Sequence, residues 1–289
     1  TYENGDVYEG DFKDDRRDGQ GTFTGTDGYV YTGSWVAVQI EGEGQVTYPD
    51  GSVYVGTFRN DWADGTGKIP YPDGSTYEGA WVAGVIEGEG IATYTNGVVY
   101  EGAFKDARNH GQGVMTYADG YRYEGGWQDG QRHGQGKATY PDGTVYEGEF
   151  AEGQRHGKGK ITMASGFVYE GDWTDGEIEG QGVATYANGD VYEGTFKAGK
   201  RQGTGTMRYA SGEEASGDWE NGALSDGAAE AAPEAEAEAP EEEALPADAT
   251  PAETAGEEGA AVEEAPEQSV EEDTSEVVPA PTGTPADGG

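Results

Sequence analysis

The chain has 289 residues, 57 acids against 17 bases and a formal net charge of −40. Charge of this sign argues against nucleic acid as a partner, because phosphate binding needs a basic footprint, and it argues less strongly against anionic headgroups. There is no cysteine, so disulfide and thiolate chemistry are excluded, and no apolar run approaches the ~20 residues of a spanning helix.

Thr1 is followed by Tyr2 and Gly5, which already hold the frame of Tyr48 and Gly51. The sequence thus opens inside a repeat, and a preceding stretch is expected, with or without a leader or an upstream domain. The first complete unit begins with YEGDF at 8–12, and its tyrosine returns every 23 residues at Tyr31, Tyr54, Tyr77, Tyr100, Tyr123, Tyr146, Tyr169 and Tyr192. Ala215 takes the tyrosine place in a tenth, degenerate unit. A strict period of this length predicts a repeat architecture and overrides any single-motif reading.

Within each unit Tyr8, Gly10 and Phe12 alternate with Glu9 and Asp11, the period of a half-buried strand, and Gly44, Val46 and Tyr48 alternate with Gln45 and Thr47. YPDG, YADG and YANG between units predict tight turns, since Asp-Gly and Asn-Gly supply positive φ. The other connection, as in KDDRRD at 13–18, is expected to be a polar loop of about six residues. The fold class expected is all-β: roughly twenty short antiparallel strands in one elongated meander, spanning on the order of 90–100 Å at ~4.8 Å per strand. Its aromatics are expected on the concave side.

A large aromatic stands four residues after each tyrosine place and alternates Phe12, Trp35, Phe58, Trp81, Phe104, Trp127, Phe150, Trp173, Phe196, Trp219. With the tyrosines this makes an aromatic ladder, read mainly as core with a partly open groove as a candidate interaction surface. Interdigitation of wide and narrow rings and duplication of a two-repeat unit both explain the alternation.

Other motifs weigh lightly. Recurrent Gly-x-Gly, such as Gly42–Gly44, lacks the following helix of a dinucleotide site and is read as structural. His110, His133 and His156 share the 23-residue spacing and are read as solvated loop residues, too far apart at ~10 Å for one metal ion. The one local basicity is Arg108, Arg132, Arg155, Lys158, Lys160, Lys200 and Arg201, a candidate anion-binding edge. Glu9, Glu78, Glu101, Glu124, Glu147, Glu170 and Glu193 form a ladder of like groups in solvent and supply no acid–base pair. No catalytic, cofactor or metal residues are assigned, and an enzyme is not expected.

Composition changes near residue 226. The last 63 residues hold 19 acids, no base, no aromatic and eight of the twelve prolines, which leaves 38 acids and 17 bases in 1–226. The expected division is a repeat array at 1–226 and a disordered acidic tail at 227–289, whose charge would discourage end-to-end growth.

Tyr-Glu-Gly-x-Phe/Trp, a loop ending in Gly-x-Gly and an Asp/Asn-Gly turn at period 23 resemble MORN repeats over residues 2–222. The resemblance implies an elongated β-meander and a role as scaffold, dimerisation element or membrane tether. It also covers enzymes in which such repeats accompany a kinase or methyltransferase domain, and neither domain is present in this sequence. The expected function is a non-enzymatic scaffold for protein partners or self-association. The alternatives are a peripheral anionic-lipid module acting through the basic edge, or an accessory region of an enzyme whose catalytic domain lies elsewhere. The compartment is left open; the acidic, cysteine-free composition suits a bacterial protein.

Overall fold

The computed structural model describes residues 1–225, so the expected tail at 227–289 lies outside the described residues. The first strands are β1 (Val7–Lys13), β2 (Arg16–Thr24), β3 (Val30–Val36), β4 (Gln39–Thr47) and β5 (Val53–Arg59). They are followed by β6 (Trp62–Pro70), β7 (Thr76–Val82), β8 (Val85–Thr93), β9 (Val99–Lys105) and β10 (Arg108–Thr116). The second half holds β11 (Arg122–Gln128), β12 (Gln131–Thr139), β13 (Val145–Ala151), β14 (Gln154–Thr162) and β15 (Val168–Thr174). It closes with β16 (Glu177–Thr185), β17 (Val191–Lys197), β18 (Lys200–Arg208), β19 (Glu214–Glu220) and the short β20 (Ala223–Leu224).

Each strand pairs antiparallel with its neighbours in sequence, which makes one open 20-stranded meander. The twenty-three-residue unit is one strand of seven and one of nine, with two connections. Those connections differ from the sequence expectation, because their roles are exchanged. The six-residue polar stretch is a two-residue turn: Asp14 and Asp15 both have positive φ (51° and 60°), as do Asp129 and Gly130 (50° and 86°). Positive φ at both centres is the mirror-type turn whose twist matches that of the flanking strands.

The YPDG segment is instead the wider loop, running from Tyr48 to Ser52. Gly51 N–H donates to the Tyr48 carbonyl at 2.9 Å, Tyr48 N–H to the Ser52 carbonyl at 2.9 Å, and the Asp50 carboxylate accepts from Ser52 N–H at 2.8 Å. Only Gly51 needs positive φ there (93°). Proline and aspartate therefore build a turn followed by a left-handed glycine, and this places five residues between strands.

The core is one face of the sheet. Each tyrosine from Tyr8 to Tyr192 is buried edge-on between two rings, its own unit's aromatic and the next unit's, as in Tyr31 between Trp35 and Phe58. Centroids lie 5.0–5.5 Å apart at interplanar angles of 79–90°, the edge-to-face geometry that the ring quadrupoles favour. Every such tyrosine thus meets one phenylalanine and one tryptophan. Its hydroxyl donates to the carbonyl three residues on, at 3.0 Å for Tyr8 to Asp11 and 2.9 Å for Tyr123 to Gly126.

The tyrosine ring lies along a glycine row that crosses the sheet. Gly10 pairs with Gly21, Gly21 with Gly33 and Gly33 with Gly44, and the row continues to Gly205 and Gly217. A Cβ on Gly136 would fall 2.4 Å from the Tyr123 hydroxyl, and one on Gly125 2.5 Å from the Gly136 Cα. Glycine is required because the ring occupies the space a side chain would fill. Successive units are also joined at the tight turns: the second turn residue donates its N–H to the preceding repeat, as Val38 to Arg17 at 2.9 Å and Gly153 to Arg132 at 3.0 Å.

Candidate interaction surfaces

The aromatic ladder lies where packing needs it. From Trp35 onwards Phe58, Trp81, Phe104, Trp127, Phe150, Trp173, Phe196 and Trp219 are buried with their tyrosines, whereas Phe12, with Tyr8 alone beside it, is exposed. The cavity at Tyr71, Tyr77 and Phe104 holds about 10 Å³, room for one water and not for a ligand. Burial raises the phenol pKa values, to about 12 at Tyr48 and Tyr77 and higher still at Tyr31 and Tyr54.

The hollow of the sheet lies on the opposite, polar face, which corrects the expectation of a concave aromatic side. It is an open groove of about 1200 Å³ over repeats five to nine. Its floor is the backbone of the glycine row, including Gly136, Gly148 and Gly171. One wall is a cross-strand line in which Glu124 faces Lys137, Lys137 faces Glu147, Glu147 faces Lys160 and Lys160 faces Glu170. The other wall pairs Gln135 with Glu149, Lys158 with Asp172 and Gln181 with Thr195. The side chains close on one another: Lys137–Glu147 at 2.7 Å, Lys158–Asp172 at 2.5 Å, Arg208–Glu193 at 3.2 Å. The Lys158 ammonium accordingly holds the Asp172 carboxyl below the usual carboxylate range.

The seven cations expected on one edge are divided between the two faces. Arg132 and Arg155 are buried on the aromatic face, and Arg201 is half-buried there. Their guanidinium groups lie over core rings, Arg132 over Phe150 at 5.4 Å, Arg155 over Trp173 at 4.8 Å and Arg201 over Trp219 at 4.7 Å. Arg132 also donates to the Tyr121 hydroxyl (2.6 Å) and to the Gly153 carbonyl of the next repeat, and Arg201 donates to the Gly222 carbonyl at 2.5 Å. In other repeats Ile40, Ile86 and Ile178 hold the same place, so arginine here is a core residue with a polar tip. Lys158 and Lys160 stand on the polar face beside Asp172 and Glu170, and Arg108 and Lys200 begin strands at the tight turns.

The histidines are likewise moved by the short turn. His110, His133 and His156 lie within β10, β12 and β14 and not in loops. Elsewhere their position holds Asp18, Glu41 or Glu87, whose carboxylates accept the first turn N–H of the next repeat at 3.0–3.3 Å. His110 Nδ1 instead lies 3.8 Å from the Asp129 carboxylate. Among the described residues no cluster of His, Asp and Glu is arranged to hold a metal ion, and no helix is long and apolar enough to cross a membrane.

One family model agrees with this repeat architecture. The family model described as MORN repeat matches nine tandem segments: 8–28, 31–53, 54–76, 77–99, 100–120, 123–145, 146–168, 169–191 and 192–214. No curated protein matches the chain by sequence. Among solved structures, the SAS-4 (dCPAP) TCP domain of Drosophila melanogaster, in complex with a proline-rich motif of Ana2 (dSTIL), is 10% identical. The match covers 68% of this chain and 88% of that one, with a TM-score of 0.31. The TCP10 domain of Danio rerio CPAP, in complex with a STIL peptide, is 12% identical over 74% and 84%, with a TM-score of 0.33. A streptogramin B lyase is 9% identical over 74% and 88%, with a TM-score of 0.16. MORN repeats are non-catalytic units that generally serve protein or membrane interaction. The chain belongs to the MORN-repeat family.

Proposed function

We propose that the protein is a non-enzymatic scaffold whose polar face binds protein partners or a second copy of the chain. The observation that carries this reading is the division of labour between the faces. The aromatic face fills itself with its own rings, while the polar face stays open along the array and is hollowed over repeats five to nine. Extended repeat arrays use such surfaces for binding.

The test is sedimentation of the full chain over a wide concentration range, followed by lysine cross-linking in its native extract. Cross-links from Lys137, Lys158 or Lys160 to one recurring protein, or to a second copy, are expected. A chain that stays monomeric and cross-links to nothing through these lysines overturns the proposal.

The anionic-lipid alternative drew on seven cations in one ridge, and three of them face the core. We expect no flotation with phosphatidylserine vesicles at low salt. Flotation that is lost on Lys158→Glu and Lys160→Glu would restore it.

A further inference from the structure

The repeats serve as controls for one another, and one strip departs from the others. Five residues after each tyrosine, and again eight after it, the chain places a side chain on the polar face beside the tight turn. In repeats one, five and nine these pairs are Lys13 and Arg16, Lys105 and Arg108, Lys197 and Lys200. In repeats six to eight they are Gln128 and Gln131, Ala151 and Gln154, Thr174 and Glu177. In repeats two to four they are Val36 and Gln39, Arg59 and Trp62, Val82 and Val85. Val36 and Val82 are more than half exposed, and Val85 and Trp62 are exposed as well. Val38, in the turn of repeat two, is 37% exposed.

These side chains stand in line. Val82 and Val85 face each other across their hairpin, and Arg59 and Trp62 across theirs. The Trp62 ring reaches over the next turn, where a Cβ on Gly84 would fall 2.8 Å from it. Neighbouring repeats are ~10 Å apart, so apolar groups recur at that interval along the rim. Single exposed apolar residues are ordinary, but a line of them confined to three repeats marks a contact surface.

Charge selects the occupant. Residues 30–99 carry nine acids and two bases, and both bases are engaged, Arg59 with Asp64 at 3.5 Å and Lys68 with Glu78 at 2.9 Å. A second copy would bring the same acids against their images, and the acidic segment 227–289 would add more. Anionic headgroups are repelled likewise. Building on the scaffold reading above, we propose that the rim of repeats two to four docks a cationic amphipathic segment of a partner protein. Its apolar residues recur at about 10 Å, the ~10.5 Å of seven residues of helix, and its lysines or arginines meet Glu41 and Glu87, each of which uses one carboxylate oxygen for the next turn's N–H.

The probe is a labelled three-heptad peptide with a leucine stripe on an otherwise lysine-rich helix, read by fluorescence anisotropy with the full chain. The variant Val36→Lys/Val82→Lys/Val85→Arg installs residues that other repeats carry at these places, so its thermal melt is expected to match the native one. The expected result is a Kd at least tenfold weaker for the variant, and equally weak for the native chain with a leucine-to-serine peptide of the same charge. Equal affinity for native and variant chains means that charge elsewhere holds the peptide, and overturns the proposal, as does no binding at all. Phosphatidylcholine vesicles, or self-association, that discriminate native from variant would give the strip to another occupant and overturn it too. Each of these outcomes leaves the scaffold reading standing on its own cross-linking test.

Discussion

At Gly125 and Gly136 the reason for a residue type can be read in ångströms. A methyl group on Gly125 would press on the Gly136 backbone, which cannot yield, so Gly125→Ala is expected to destabilise by roughly 2–3 kcal/mol, the cost of overpacking. Gly143 has open space around it but a φ of 91°, so Gly143→Ala is expected to cost about 1 kcal/mol through backbone strain alone. Urea titration of the two variants separates the mechanisms, and equal costs would refute the packing role of the glycine row. Arg155 poses the opposite case. It is a buried cation over Trp173, and repeats two, four and eight use isoleucine in its place. Replacing a buried charge with a shape the site accepts is often neutral or favourable, so Arg155→Ile is expected to leave stability within about 1 kcal/mol or raise it. A loss above about 3 kcal/mol would show that its polar contacts dominate.

At the scale of the hairpin, the two-residue turn decides where every strand begins. Repeats six to ten place glycine second in that turn, whereas Ala107 holds φ 59° in repeat five. Left-handed conformation costs a non-glycine residue roughly 1–2 kcal/mol, so Ala107→Gly is expected to raise the midpoint of thermal unfolding by about 1 kcal/mol equivalent. An unchanged or lower midpoint would mean that the greater conformational entropy of glycine in the unfolded chain offsets the strain relieved in the turn. Asp-Gly and Asn-Gly dipeptides are visible in the sequence and were expected to make the tight turn. They make the wider loop instead, because proline and the Asp50 carboxylate organise a turn before the glycine. Asp14–Asp15 and Ala37–Val38 contain no glycine and carry no local mark of their conformation; neighbouring strands impose it.

At the scale of the whole array, stability is a sum of nearly identical neighbour contacts, and its pH limit follows from the tyrosines. Their folded pKa values lie above the ordinary 10, with burial as the largest cause. Raised values mean that the fold favours the neutral phenol. Their contribution is therefore complete below pH 10 and is lost as pH rises above it towards the folded values, about 12 at Tyr77. Absorbance at 295 nm should show most tyrosines silent at pH 10.5, then ionising together with loss of the β-sheet circular dichroism near pH 12. Independent titration of the ladder tyrosines near pH 10 with the sheet intact would contradict their burial.

The 23-residue period, the alternation within YEGDF and the absence of any helical stretch within 1–226 were enough to determine the meander and its aromatic face, because both depend on local periodicity that each repeat states again. The likeness to MORN repeats was legible for the same reason. What a single repeat cannot state is how its residues stand against the next. Arg132 and Arg155 look like surface cations in sequence, yet the two-residue turn shifts their register onto the core face, where each lies over its own repeat's tyrosine and closer still to a ring of the following repeat. The same shift carries the histidines from loops into strands. The polar groove and the apolar rim are likewise products of alignment across strands, since residues 23 apart become neighbours only when the sheet is assembled. Composition and period thus determined the sheet and its filled face, while tertiary pairing decided what the open face presents.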